Sequence, residues 1–188
     1  SQYDGQILCG HNDGTFLVDG LKAVRISDVT GGWSVRQFGE YLVQGTYTGI
    51  VSFKRGSEGK WKFSARVGGY TEPTRFVEID YLGYVWALHP QKGVYRLELN
   101  EEADSVTSSL FFSQAGDSAR ILSMAVMNNQ MVFIASDHIY GFDYERKDFF
   151  PVTSLETGLG AFVRATQIIP FQKNSYWFVL DNRIALFN

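Results

Sequence analysis

The sequence lacks the features that mark membrane-spanning, disulfide-stabilised and nucleic-acid-binding chains. One cysteine among 188 residues excludes an internal disulfide bond. The longest apolar stretches, such as 176–180, are far too short to cross a membrane. The 17 basic and 20 acidic residues are scattered and form no basic stripe, which argues against contact with nucleic acid.

The single cysteine, Cys9, lies in the apolar run 7–9. Free cysteines in such runs behave as small hydrophobic residues, and their thiols are shielded. The run therefore predicts a buried, unreactive Cys9.

Strand-forming residues and turn residues dominate what is present. Hydrophobic residues make up 45% of the chain and aromatic residues 15%, with 19 glycines but only four prolines. This composition favours short strands joined by tight turns. No segment of a dozen residues keeps the apolar spacing of a helix. The sequence predicts an all-β fold.

One pattern occurs five times: an apolar strand, a short turn and a second apolar strand. The copies recur at intervals of 35 to 47 residues. They are ILCGHNDGTFLVD at 7–19, YLVQGTYTGIVSF at 41–53, YVWALHPQKGVYRL at 84–97, MVFIASDHIYGFD at 131–143 and YWFVLDNRIALF at 176–187. Such a period is typical of one four-stranded β-propeller blade.

The remaining strand-like segments complete this blade pattern, whose strands are named A to D in chain order. A strand A precedes each hairpin after the first, at 33–38, 75–80, 120–127 and 164–171. A strand D follows each of the first four hairpins, at 23–26, 61–67, 109–112 and 148–152. The prediction is one propeller segment, 1–188, whose blades cover about 1–31, 32–73, 74–118, 119–162 and 163–188.

Two of the five predicted blades are incomplete. The chain is read as opening at strand B of the first blade and ending at strand C of the last. A propeller closes because each blade packs its apolar face on the next, so an open fragment of a larger propeller is expected. The apolar segments 176–178 and 184–187 lack polar caps, which predicts a homo-oligomer or an aggregate of the isolated piece.

A family resemblance rests on the strongest repeat. Residues 76–87 read FVEIDYLGYVWA, with an Asp-x-x-Gly turn before a Trp-bearing strand, and 92–97 read KGVYRL. Residues 45–50, GTYTGI, match a Gly-Thr-x-x-Gly-Leu turn. These repeats resemble the two-component regulator propellers of Bacteroides-type bacteria. The turns at 128–130 and 136–138 depart from the family pattern.

The resemblance implies a location and a set of partners. It implies a periplasmic sensor segment of a membrane-anchored hybrid histidine kinase or of a helix-turn-helix transcription regulator. It implies an oligosaccharide ligand, further propeller blades and downstream signalling domains as partners. Nucleic acid would be contacted elsewhere in such a protein and not by this segment.

The repeat residues have structural explanations of their own. Asp80 is expected to bond backbone amides in the A–B turn, and Gly83 to supply a positive φ there. Trp86 offers a large flat surface for packing between blades. Gly49 and Gly93 are expected to relieve the B–C turns.

No catalytic or cofactor motif is present. The sequence has neither a Gly-x-x-x-x-Gly-Lys-Ser/Thr loop nor a Gly-x-Ser-x-Gly elbow. His11, His89 and His138 are far apart in sequence and are expected to be solvent-exposed on B–C turns. No acidic pair stands out as a general acid and base. The prediction is a protein without enzymatic activity, metal or cofactor.

The candidate ligand-binding residues share one predicted face. Arg75, Arg120 and Arg164 occupy matching places before or at the start of strand A, so they could form an anion-binding ring at the mouth of the channel. Tyr47 and His89 lie on nearby B–C turns, and Tyr70 lies in the loop before Arg75. The alternative is that each arginine ties down its own D–A loop.

Three functions therefore stand side by side. The first is a non-catalytic sensor segment that responds to a glycan or a partner protein. The second is a structural or protein-interaction propeller that binds no small ligand. The third is a propeller polysaccharide lyase or glycosidase, because fold alone does not fix function.

Overall fold

The computed structural model describes residues 1–116, 119–136 and 138–188. These residues form nineteen β-strands, one four-residue α-helix and one short 3-10 helix. The strands form five antiparallel sheets, each following chain order, as in β-propeller blades. The all-β prediction is confirmed. Asp137, in the predicted turn 136–138, lies outside the described residues.

The first sheet corrects the prediction that the first blade lacks strand A. Its strands are β1 (Gln2–Tyr3), β2 (Gln6–His11), β3 (Gly14–Asp19) and β4 (Lys22–Ser27). Gln2 pairs with Ile7 across a turn at Asp4 and Gly5, whose φ angles are 49° and 78°. Asp-Gly is a favoured type I′ turn, so even this two-residue strand pairs here.

The second and third sheets are complete blades. The second contains β5 (Val35–Phe38), β6 (Tyr41–Thr46), β7 (Gly49–Arg55) and β8 (Trp61–Arg66). The third contains β9 (Phe76–Ile79), β10 (Val85–His89), β11 (Gly93–Leu99) and β12 (Val106–Phe112). The central strands β6, β7 and β10 are buried at nearly every position, as expected for strands covered on both faces.

The fourth sheet is complete and the fifth has three strands. The fourth contains β13 (Ile121–Met127), β14 (Gln130–Ala135), β15 (Ile139–Asp143) and β16 (Asp148–Pro151). The fifth contains β17 (Gln167–Gln172), β18 (Ser175–Leu180) and β19 (Arg183–Phe187). One blade, rather than two, therefore has fewer than four strands.

The connection between the fourth and fifth sheets is helical at two places. Helix α1 (Thr153–Glu156) is followed by the 3-10 helix Gly160–Arg164. The prediction of a strand over 164–171 is wrong at its start, because Arg164 ends the 3-10 helix and β17 begins at Gln167. No helix in the described part of the chain has the length and apolar character needed to cross a membrane.

The chain divides into two compact units. Unit 1 comprises Ser1–Ile79, Gly83–Pro90 and Tyr95–Leu110. Unit 2 comprises Asp80–Leu82, Gln91–Val94 and Phe111–Asn188.

In unit 1, apolar side chains fill the space between neighbouring blades. Leu8 of the first blade and Phe53 and Trp61 of the second belong to one buried cluster. Val43 of the second blade and Val77 of the third belong to another. Each such buried side chain contributes on the order of 1.5–3 kcal/mol to stability, so face-to-face packing of blades is the main source of order in this unit.

In unit 2, one buried cluster joins the fourth and fifth blades. Ile134 and Ile139 of the fourth blade pack with Ile168 and Phe178 of the fifth. Leu159, from the connection between the two sheets, is buried with them. The connection therefore contributes to the core as well as linking the blades.

The structure confirms the predicted roles of the turn residues. The Leu82 amide donates a 3.0 Å hydrogen bond to Asp80 Oδ1, and Gly83 has a φ of 86°. Trp86 is fully buried. Gly49 has a φ of 116°, and a Cβ there would lie 2.5 Å from the Tyr70 carbonyl oxygen. Gly49 is therefore required for close backbone approach as well as for the turn.

The prediction of a buried Cys9 is wrong. Cys9 is exposed on β2, whereas its neighbour Leu8 is buried. Successive side chains on a strand point to opposite faces, so only Leu8 of this apolar run reaches the core.

Candidate functional site

The six predicted ligand-binding residues fall in both compact units. Tyr47, Tyr70, Arg75 and His89 belong to unit 1. Arg120 and Arg164 belong to unit 2. The ring of three arginines stays a prediction.

An aromatic pair in unit 1 connects the loop before β5 with the B–C turn of the second blade. The rings of Trp33 and Tyr47 meet edge to face, with centroids 4.8 Å apart. The Tyr47 hydroxyl donates a 2.8 Å hydrogen bond to Asn12 Oδ1, from the B–C turn of the first blade. Tyr47 is 40% exposed, so the pair offers solvent a fixed aromatic surface beside an amide group.

The backbone of Arg75 contacts the residue that follows Trp33, so the two segments lie side by side. Its carbonyl accepts a 3.3 Å hydrogen bond from the hydroxyl of Ser34, the residue after Trp33. Its guanidinium carbon lies 5.2 Å from the centre of the Phe76 ring. Within the described residues, the exposed Arg75 guanidinium forms no ion pair or hydrogen bond. Its N–H groups can therefore donate hydrogen bonds to an anionic ligand.

His89 departs from the expectation of a solvent-exposed turn histidine. Its side chain is largely buried, and Nε2 lies 3.6 Å from Glu72 Oε2. His11 and His138 are exposed, as expected, and lie beside Asp13 and Glu156. Among the residues that the structure describes, no three His, Cys, Asp or Glu side chains lie close enough together to hold a metal ion.

Tyr70 is a packing residue between the second and third blades. It is buried, and its ring centroid lies 5.1 Å from that of Tyr95. Its hydroxyl oxygen accepts a 3.0 Å hydrogen bond from Thr74 Oγ1. Burial raises the pKa of the Tyr70 hydroxyl, which keeps it neutral. Of the predicted residues in unit 1, Tyr47 and Arg75 are exposed to solvent.

In unit 2, the two predicted arginines have different backbone settings. Arg120 immediately precedes β13, and its carbonyl accepts a 3.0 Å hydrogen bond from the Ser136 amide. Arg164 lies at the end of the 3-10 helix, three residues before β17. Both side chains are exposed. Arg120 therefore matches the place of Arg75 before strand A, and Arg164 does not.

A buried ion pair on the inner strands of unit 1 has no counterpart among the predicted residues. Arg36 on β5 donates from Nε to Glu78 Oε2 on β9 at 2.7 Å, and from Nη2 to Oε1 at 2.5 Å. The Glu78 side chain is 7% exposed. Tyr3 of β1 donates a 2.7 Å hydrogen bond to the Val35 carbonyl beside Arg36. Polar contacts therefore connect the A strands of three successive blades.

The electrostatics of this pair follow from its burial. Burial raises the pKa of the Glu78 carboxyl, and the Arg36 guanidinium opposes that rise. Burial acts to lower the pKa of Arg36, but the bidentate contact with Glu78 outweighs it and leaves the Arg36 pKa raised. The signal available in the sequence is a charged residue in the interior of two successive predicted A strands, at 36 and 78.

Comparisons with known proteins identify relatives in fold. No protein-family model matches the chain, and no curated protein matches its sequence. The extracellular domain of BT4673 of B. thetaiotaomicron, described as a one-component system, is 10% identical over 98% of this chain and 28% of its own, with a TM-score of 0.64. That of BT3049, a hybrid two-component system of the same bacterium, is 17% identical over 97% of this chain and 25% of its own, with a TM-score of 0.65. The chain shares the fold of these extracellular domains.

A third solved structure widens the comparison. The AfRom2 CNH domain is 11% identical over the whole of this chain and 66% of its own, with a TM-score of 0.60. The chain spans about a quarter of the length of the two bacterial structures. The resemblance seen in the sequence is therefore confirmed at the level of fold.

Proposed function

We propose that the chain is a non-catalytic recognition segment of a periplasmic sensor in a bacterial signal-transduction protein. The observation that carries this proposal is the shared fold, over 97–98% of the chain, with extracellular domains of bacterial one- and two-component systems. Because the chain spans about a quarter of those structures, further blades and downstream signalling domains are its proposed partners.

The proposed recognition surface of unit 1 consists of Trp33, Tyr47 and Arg75. Exposed aromatic rings can pack against the apolar faces of a sugar ring. Within the described residues the Arg75 guanidinium has no ion pair or hydrogen bond, so it can make a forked, charge-assisted contact with a carboxylate or sulfate. This combination favours an acidic oligosaccharide as the ligand.

The test compares variants of the 188-residue chain on an array of acidic and neutral oligosaccharides. Arg75→Ala should weaken binding of an acidic oligosaccharide by about ten- to a hundredfold, because a hydrogen bond to a charged group contributes about 1.5–3 kcal/mol. Its melting temperature should stay unchanged, because the Arg75 side chain has no polar partner in the described residues.

Arg25→Ala is the matched control, because Arg25 is also exposed and lies on β4 of the same unit. It should bind acidic oligosaccharides as the unchanged chain does. Equal losses of affinity in both variants would mean that net charge, and not a specific contact of Arg75, accounts for binding. Unchanged binding by Arg75→Ala would contradict the proposed recognition surface.

The absence of catalysis is part of the proposal and has its own test. The 188-residue chain is incubated with acidic and neutral polysaccharides, and new reducing ends and unsaturated products are measured. We expect neither to accumulate. Their appearance above a heat-inactivated control would instead support the polysaccharide lyase or glycosidase.

Self-association is also proposed for the isolated chain. The fifth sheet exposes the apolar residues Phe171, Ile184 and Leu186, and contiguous apolar surface favours contact between copies. Sedimentation velocity should detect species larger than 21.2 kDa at micromolar concentration. A single stable monomer at all concentrations would contradict this part of the proposal.

A further inference from the structure

The last strand of each four-stranded sheet lies at an edge, where one side of its backbone has no neighbouring strand. Natural edge strands are protected against pairing with other chains by charged side chains, prolines, bulges or short length. Three of these last strands in the described chain have such protection. β4 contains Lys22 and Arg25, β8 contains Lys62 and Arg66, and β16 has four residues and ends at Pro151.

The last strand of the third sheet, β12, has none of these protections. It is the longest of the four, with seven residues, and it contains no charged residue, proline or glycine. Thr107, Ser108 and Ser109 are exposed, so the middle of the strand is open to solvent. Its valine, threonine and phenylalanine residues favour an extended backbone. The third sheet therefore has an edge that can accept a further strand.

Hydrogen bonds at the start of β12 show which of its backbone groups point away from its neighbour β11. The Ser105 carbonyl accepts a 3.1 Å hydrogen bond from the amide of Asn100, the residue after β11. The Val106 amide points the other way and donates a 2.8 Å hydrogen bond to the Gly68 carbonyl. Backbone groups of successive residues in an antiparallel strand point to opposite sides. The even-numbered residues of β12 therefore point away from β11.

Two even-numbered residues, Ser108 and Leu110, present free backbone groups on the open side of β12. Within the described residues, no other segment bonds their amides or carbonyls on that side. The two residues are separated by one residue, which is the spacing at which an added antiparallel strand forms its paired hydrogen bonds. Their two amides and two carbonyls can therefore bind the backbone of an extended peptide.

Gly68 shows that this side of β12 already accepts an extended segment. It forms a parallel bridge with Ser105, and its amide donates a 2.7 Å hydrogen bond to the Asp104 carbonyl. Gly68 lies between β8 and β9 and belongs to no regular strand. Its pairing ends at Val106, so the edge is open from Ser108 onward.

The charge beside the open edge indicates the chemistry of the partner. Glu101, Glu102 and Asp104 lie in the loop that leads into β12, and all three are exposed. Glu102 and Asp104 accept hydrogen bonds from the neutral side chain of Asn100. None of the three carboxylates forms an ion pair with another described residue. A partner segment with positive charge at the end that meets this loop is therefore complementary to it.

We propose that β12 binds an extended peptide segment of another protein, which adds as an antiparallel strand beside Ser108 and Leu110. The part of the segment that pairs with β12 has uncharged, β-branched side chains. Its C-terminal end is basic, because an antiparallel strand ends beside the acidic loop 101–104. Backbone hydrogen bonds provide the affinity, and the charges set the direction. The site uses no residue of the Trp33–Tyr47–Arg75 surface, so it is independent of the oligosaccharide proposed for unit 1.

The first test uses three synthetic peptides with acetylated and amidated ends. The first peptide has five alternating threonine and valine residues followed by two lysines. The second has the two lysines at its start, and the third has two glutamates in place of the lysines of the first. Each peptide is titrated into the isotope-labelled 188-residue chain, and NMR follows the β12 amide signals and their hydrogen exchange.

We expect the first peptide to bind saturably and the third to bind at least about tenfold more weakly, with the second in between. Saturation should slow exchange at the Ser108 and Leu110 amides. The Thr107 and Ser109 amides point toward β11, so their exchange should not change. Binding by none of the peptides, equal affinities of all three, tighter binding of the second than of the first, or unchanged exchange at Ser108 and Leu110 would each overturn the proposal.

The same measurement without peptide tests a competing occupant. Exchange at Ser108 and Leu110 should be fast at all protein concentrations, because their amides are open to solvent. Slow exchange that becomes slower as protein concentration rises would assign the edge to a second copy of the chain and would overturn the proposal.

The second test removes one amide from the open edge. Ser108→Pro should bind the first peptide about tenfold more weakly, because it lacks one hydrogen-bond donor. Proline is tolerated in an edge strand where the amide points to solvent, so the circular dichroism spectrum should be unchanged. Ser108→Ala is the matched control, because it keeps the amide and should bind as the unchanged chain does. Equal affinities of the two variants would contradict pairing at this edge.

The third test removes the charge of the loop. The double variant Glu101→Gln, Glu102→Gln should bind the first peptide about three- to tenfold more weakly, as expected for two exposed charge pairs. The matched control is Glu40→Gln, Glu58→Gln, which changes two exposed glutamates elsewhere in unit 1 and should bind as the unchanged chain does. Equal affinities of the two double variants would overturn the role of the loop.

Discussion

The junctions between blades differ in the two compact units. In unit 1, the second and third blades are joined by the Arg36–Glu78 pair, and the Ser34 hydroxyl also accepts a 2.6 Å hydrogen bond from the Val77 amide. In unit 2, the fourth and fifth blades share an apolar cluster, and a cleft of about 180 Å³ lies beside it. The same repeat therefore produces one junction that adds a buried ion pair to its apolar cluster, and another that has a cleft beside its apolar cluster.

The connecting segments account for part of this difference. In unit 1, the segment between β8 and β9 has no helix and supplies the core residues Val67 and Tyr70. In unit 2, the segment between β16 and β17 contains α1 and the 3-10 helix. Leu159 of that segment packs in the core and also lines the cleft. Strand order is a property of the repeat, whereas the junction depends on the segment between repeats.

Truncating one buried phenylalanine in each unit should have the largest effect. Phe53→Ala in unit 1 should lower the free energy of unfolding by about 4 kcal/mol, and Phe178→Ala in unit 2 by about 3 kcal/mol. The loss should be smaller at Phe178 because that ring already borders open space and has fewer neighbours to lose. Urea unfolding followed by circular dichroism measures both values.

Phe150→Ala is the control for this pair, because the Phe150 ring is 44% exposed. Its loss should stay below about 1 kcal/mol. A larger loss at Phe178 than at Phe53 would reverse the comparison, since it would make the junction beside the cleft the more tightly packed one.

Removing the cation of the inner ion pair should have the next largest effect. Arg36→Met keeps most of the side-chain volume but leaves the buried Glu78 carboxylate without its partner. The expected loss at pH 7 is about 3 kcal/mol, at the low end for breaking a buried pair because the Arg36 side chain is 33% exposed. Arg55→Met, at the exposed Arg55–Asp4 pair, should lose less than about 1 kcal/mol.

The loss in Arg36→Met should depend on pH. The pKa of Glu78 is already raised above its ordinary value of 4.5 by burial, and removal of Arg36 raises it further. When the pKa of a carboxyl group is higher in the folded state than in the unfolded state, the group stabilises the fold most at pH values below its unfolded pKa. This stabilisation is lost as pH rises through the folded pKa. The variant should therefore approach the unchanged chain below pH 4.5 and separate from it above. A difference that stays constant with pH would contradict this account.

The tyrosine that spans the unit 2 junction should have a smaller effect. Tyr176→Phe removes the hydroxyl that bonds Asn128 and should lower the free energy of unfolding by about 1 kcal/mol, as expected for a partly buried hydrogen bond. Tyr47→Phe in unit 1 removes an exposed hydroxyl bonded to Asn12 and should change stability by less than about 0.5 kcal/mol. Equal effects would mean that the Asn128 turn does not depend on its contact with the fifth blade.

The local pattern of the blades could be predicted from sequence because it depends on neighbours in the chain. Alternating apolar residues and turn glycines locate the B and C strands, and the Asp80 and Gly83 roles follow from turn chemistry. The sequence does not predict β1, because a strand of two residues is too short to show hydrophobic alternation, although the Asp4–Gly5 pair is a recognisable turn.

The contacts between blades could not be predicted in the same way. Arg36 and Glu78 are 42 residues apart and meet only because β5 and β9 lie side by side. The alignment of β5 with β9 depends on the path of the segments that connect the blades, and these segments do not follow the sequence repeat. The cleft depends on which side chains fail to fill a junction, and this requires the packed structure.

Substitution of Cys9 should have the smallest effect on stability. The apolar run 7–9 predicts a buried side chain at this position, and the structure exposes it. Because the Cys9 side chain is exposed while Leu8 is buried, Cys9→Ser should change the free energy of unfolding by less than about 0.5 kcal/mol. Leu8→Ala, one residue away, should instead lower it by about 2–5 kcal/mol. Under native conditions a maleimide should react with the Cys9 thiol at a rate within about tenfold of that in urea, because an exposed thiol needs no unfolding to react. Labelling that occurs only after unfolding would contradict an exposed Cys9 thiol in solution, and would indicate that copies of the chain associate through the face of the first sheet that bears Cys9.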